Sequence, residues 1–87
     1  MTYTYIPRGV CSRRMTIEME NGVVQDLQVI GGCNGNLKGI ASLIRGMRAE
    51  DVIAKLKGIR CGFKPTSCPD QLSIALTQAL EQEKKER

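Results

Sequence analysis

MTIEMENGVVQDLQVI, Met15 to Ile30, is the stretch that decides the fold. Its first six residues alternate. Met15, Ile17 and Met19 face one way and Thr16, Glu18 and Glu20 the other, which is the period-two pattern of a half-buried strand. Asn21-Gly22 follows, and both residues tolerate positive φ, so the pair suits a tight type I′ turn. Val23 to Ile30 is then the returning strand, with Val23, Leu27 and Val29 expected on one face. A hairpin apolar on one side needs a covering layer.

The flanking segments supply that layer. Upstream, TYTYI (Thr2 to Ile6) reads as a short strand stopped by Pro7 and Gly9. Downstream, GGCNGN (Gly31 to Asn36) is a glycine-rich turn with Asn36 as the expected helix cap. Leu37, Ile40, Ala41, Ile44 and Met47 then recur at helical spacing, and Gly46 marks the end. AEDVIAKLKG predicts a second helix with Val52, Ile53 and Leu56 inward and Gly58 as its stop. A loop from Ile59 to Ser67 leads to KPTSCPDQL, where a third helix opens. Ser67 or Cys68 caps it, Pro69 takes the first turn, and Asp70 lies near the positive end of the dipole. Leu72, Ala75, Leu76, Ala79 and Leu80 form its buried stripe. From Glu81 onward the helix is charged all round and is expected to fray. Strands followed by helices predict an α+β fold, a small antiparallel sheet with helices packed on one face. One domain spans residues 1–87, with 81–87 as a charged tail.

Composition narrows the function. The chain has 87 residues and three aromatics, Tyr3, Tyr5 and Phe63, so its core must be aliphatic. Domains of this size often lean on a metal or disulfides for part of their stability. There is no histidine, which removes the usual general base and every His-dependent triad. With no paired carboxylates in a motif and no complete cofactor fingerprint, the isolated chain is not expected to be an enzyme. The net charge is +4, with Lys and Arg scattered from Arg8 to Arg87. That scatter reads as a solvated surface, and the scarcity of aromatics for base stacking argues against nucleic acid. MTYTYIPRGV lacks the apolar core of a signal peptide, and no segment is long enough to span a membrane. A cytoplasmic protein is the expectation. In a reducing compartment, four cysteines are metal ligands or redox groups rather than structural disulfides.

Those cysteines are Cys11, Cys33, Cys61 and Cys68, each within two residues of a glycine or at a helix mouth. There is no C-x-x-C pair, so the argument rests on position. Cys11 precedes the first hairpin strand and Cys33 follows the second, and antiparallel pairing brings those two ends together. Cys61 lies in a loop. Cys68 opens the last helix, where the dipole and free N–H groups favour a thiolate. If all four converge, tetrahedral zinc is the default, a closed site of four thiolates. An iron–sulfur cluster accepts the same ligands. A third reading is a thiol redox protein with Cys61 and Cys68 as the dithiol. The GGCNGN turn also has a weaker reading as an anion or nucleotide site through Gly31, Gly32, Asn34, Gly35 and Asn36, since glycines before a helix can cradle phosphate. It lacks the Lys-Ser/Thr of a P-loop.

Thr66 to Asp70, TSCPD, is the motif that names the TSCPD-domain family. From GVCS through IGGCNGN to RCGFKPTSCPDQL, the chain resembles that family's stand-alone four-cysteine members. The family is similar to a C-terminal domain of adenosylcobalamin-dependent ribonucleotide reductases. The resemblance therefore implies a metal-binding module linked to deoxyribonucleotide synthesis, with a ribonucleotide reductase as possible protein partner. The chain is far too short to hold the reductase barrel. A more distant likeness is to the U-type (NifU/IscU-like) iron–sulfur cluster scaffold proteins, on which Cys11, Cys33 and Cys68 match the scaffold's three cysteines. Where the scaffold has an aspartate, this chain has Arg13, a poor ligand. Cys61 would complete a four-thiolate set instead, which favours zinc over a labile cluster.

Overall fold

The computed structural model describes residues 1–7, 12–31, 34–59 and 68–86. Three strands come first, β1 (Thr2–Tyr5), β2 (Ser12–Glu20) and β3 (Val23–Gly31). Three helices follow, α1 (Asn34–Ile44), α2 (Ala49–Leu56) and α3 (Cys68–Glu86). The strands form one antiparallel sheet in the order β1-β2-β3. The turn is the expected one, with Asn21 at φ 52 and Gly22 at φ 77. Gly46 and Gly58 take positive φ just past the ends of α1 and α2.

All three helices lie on one side of the sheet or against one another. α1 packs on β3, α3 on β1 and β2, and α2 on α3. Met15, Ile17 and Met19 from β2 meet Ala41 and Ile44 from α1, Val52 from α2, and Leu72, Ala75, Leu76 and Ala79 from α3 in one core. That core is aliphatic, as the composition requires, and Tyr3 and Tyr5 border it. The opposite sheet face has no helix over it among the described residues.

Three expectations need correction. β3 presents Leu27 and Val29 to the core as expected, but Val24 rather than Val23. Ile17 pairs with Leu27 and Glu18 with Asp26, but Met19 pairs with Val24, so Gln25 is an extra residue. A bulge of this kind reverses the alternation beyond it. Val24 is therefore fully buried and Val23 only half-buried. α1 begins at Asn34, two residues before the expected cap at Asn36. Asn36 therefore lies within the first turn of the helix and is not its cap. Last, α3 does not stop near Glu81 but continues to Glu86, and Glu83 is buried at 8% exposure. Its Oε1 accepts a hydrogen bond from the Gly22 N–H at 2.7 Å, tying the helix to the hairpin turn.

Candidate metal centre

Three hydrogen bonds fix the direction of α3 on the sheet. The Tyr5 hydroxyl donates to Gln71 Oε1 at 2.8 Å, the Tyr3 hydroxyl to Gln78 Oε1 at 2.7 Å, and Gly22 N–H to Glu83. Tyr5 is the partner of Met15 and Tyr3 of Ile17. The helix thus runs alongside β2, from the Ser12 end toward the Asn21-Gly22 turn. Cys68 is its first residue, half-buried, and sits about 4.5 Å before Gln71 along the axis.

α1 runs the same way. Its far end is held at the start of β3, where Gly46 N–H donates to Val24 O at 2.8 Å and Arg45 pairs with Asp26 at 2.9 Å. Its beginning, Asn34, therefore lies toward Gly31, and Gly31 is the partner of Ser12. α2 runs in the opposite sense. It starts at the hairpin turn, where Ala49 N–H donates to Gly22 O at 2.8 Å. It ends against α3, where Gly58 N–H donates to Asp70 Oδ1 at 2.8 Å. Ser12, Gly31, Asn34, Gly58 and Cys68 thus belong to one end of the domain.

Of the four predicted ligands, only Cys68 is among the described residues. Cys11, Cys33 and Cys61 lie outside them. Along the chain, Cys11 adjoins Ser12, Cys33 stands two residues past Gly31 and one before Asn34, and Cys61 is two past Ile59. Among the described residues no group of three or more Cys, Asp or Glu side chains could hold a metal. Of the residues named for anion binding, Gly31 ends β3, Gly32 lies outside the described set, and Asn34, Gly35 and Asn36 form the first turn of α1.

The sequence reading missed the sorting of carboxylates, which are spread along the chain but gather in space. Cations occur at both ends, with Arg45, Arg48, Lys84 and Lys85 near the hairpin turn. Three long runs without Asp or Glu, Met1 to Ile17, Leu27 to Ala49 and Val52 to Pro69, hold all four cysteines, while a shorter one, Gln71 to Leu80, holds none. Eight of the nine carboxylates fall at the hairpin-turn end: Glu18 and Glu20 late in β2, Asp26 early in β3, Glu50 and Asp51 opening α2, and Glu81, Glu83 and Glu86 closing α3. The exception is Asp70, which is engaged by the Gly58 N–H. Arg13, Arg14, Lys38 and Lys57 are exposed at the cysteine end. The acid-free runs are visible in the sequence, but only the fold places them together.

Among the described residues no helix is long and apolar enough to cross a membrane. Searches of curated proteins and of solved structures returned no match, so the likeness to U-type scaffold proteins finds no counterpart there. A family model described as the TSCPD domain matches residues 1–80, a span that takes in all four cysteines, and the chain belongs to the TSCPD-domain family.

Proposed function

We propose that Cys11, Cys33, Cys61 and Cys68 hold one zinc ion as a closed four-thiolate centre, and that the chain is a small binding module rather than an enzyme. The observation that carries this reading is the gathering of the cysteine-flanking residues Ser12, Gly31, Gly58 and Cys68 at one carboxylate-poor end. The donor set fits the ion. Four thiolates satisfy tetrahedral zinc with no position left open for catalysis, the mark of a structural site. Four thiolates around a dication leave a net negative charge, which is costly to bury without nearby cations. Lys38 and Lys57, exposed at the same end, supply them.

Such a centre would tie the ends of β2, β3, α2 and α3 together. Structural zinc contributes about 10–16 kcal/mol in small domains, against a total stability of roughly 5–15 kcal/mol for ordinary ones. Chelation is therefore expected to cost this chain most of its stability. The test is a denaturant titration with and without a strong chelator, repeated on Cys→Ser variants at each position. All four variants should lose metal and stability together. A single cysteine whose loss changes neither is not a ligand. The resemblance to the reductase domain supports an accessory role in deoxyribonucleotide synthesis. Association of the metal-loaded chain with a ribonucleotide reductase, measured by sedimentation, tests that role.

A further inference from the structure

The sheet face without helices is not uniform along its length. Arg14 pairs with Ile30, and both point away from the core, since their neighbours Met15 and Val29 face it. Ile30 is 49% exposed and Ile6, next after Tyr5 at the same end, is 61% exposed. A second register slip, between Ser12 and Arg14, makes Arg13 an extra exposed residue beside them. Bulges commonly re-aim side chains next to functional sites. Neither Arg13 nor Arg14 pairs with a carboxylate among the described residues. The next row, Thr4, Thr16 and Gln28, is polar and uncharged. Glu18 follows at the far end, where it accepts from the Thr2 hydroxyl at 2.6 Å.

We propose that Ile6, Arg13, Arg14 and Ile30 form a docking face for an acidic, aliphatic segment of a partner protein. The chemistry fits on two counts. Two unpaired guanidinium groups select carboxylates, which an arginine can hold through two parallel hydrogen bonds. Two exposed isoleucines beside them need apolar side chains rather than a phosphate backbone. Exposed aromatics for base stacking are absent among the described residues, so single-stranded nucleic acid is the poorer fit. Glu18 and Glu20, at the other end, repel the same acidic segment and fix which way it lies. This inference does not depend on the identity of the metal.

The test uses the full chain, isotopically labelled and purified with whatever metal it carries. The probe is a synthetic peptide of glutamates interrupted by leucines, with an oligothymidylate of equal charge as comparison. Amide shifts should move at Ile6, Arg13, Arg14, Gln28 and Ile30. The double variant Arg13→Glu/Arg14→Glu should bind at least about tenfold more weakly, as reversed interfacial charges do. Lys84→Glu/Lys85→Glu changes the net charge equally at the opposite end and should leave affinity within about twofold, because its charges lie beyond a Debye length. Ile6→Ser/Ile30→Ser should weaken the peptide without changing the residual oligothymidylate binding. Absence of shifts on this face, equal losses in both charge variants, or tighter binding of the oligothymidylate would each overturn the proposal. Unchanged amide spectra of the free variants establish that they are folded.

Discussion

Glu83 belongs to the charged run that closes the chain, and nothing in its sequence neighbourhood signals a buried carboxylate. Its environment comes from Gly22, 61 residues away, whose N–H it accepts at 2.7 Å. Long-range pairing of a turn with a helix end has no local signature, which is why the run read as a fraying tail. Glu83→Ala leaves that N–H without its partner and should cost about 1–3 kcal/mol. Urea unfolding of the variant measures it. Leu76, by contrast, was legible at once. It sits in a helical stripe and is fully buried. Leu76→Ala should cost about 2–5 kcal/mol, the range for emptying a packed core site. A loss below about 1 kcal/mol would mean that α3 is not seated on β2 as described.

At the scale of elements, patterns that depend on neighbours a few residues apart were readable. The β2–β3 hairpin, its Asn21-Gly22 turn and all three helices follow from alternation, helical spacing and glycine stops. What alternation cannot register is an inserted residue. Gln25 looks like any other position in β3, yet as a bulge it moves Val24 into the core in place of Val23. Val24→Ser should therefore destabilise the fold by about 1–3 kcal/mol more than Val23→Ser, because it also buries an unsatisfied hydroxyl. Thermal melts of the pair decide it. The end of α3 offers a parallel check. Truncation after Glu81 should cost at least as much as Glu83→Ala, whereas a frayed tail could be removed without effect.

The whole molecule is organised by its two ends. Ser12, Gly31, Gly58 and Cys68, each near a cysteine in sequence or itself one, belong to one end, and most carboxylates and the hairpin turn to the other. Of the cysteines, Cys68 was legible as the opening of α3, and the register of β2 and β3 and the direction of α3 give it, Ser12 and Gly31 a common end. The gathering of carboxylates was hidden by their dispersal along the chain, because it arises only when β2, α1 and α3 run side by side in the same direction. The proposed centre accounts for why carboxylates avoid the end where four thiolates would need cations. Elemental analysis of protein purified without oxygen, with ultraviolet-visible absorption on the same sample, tests this most directly. The account predicts a colourless protein with about one zinc per chain, as four thiolate ligands require. Iron with sulfide and visible absorption, or no metal at all, would contradict it.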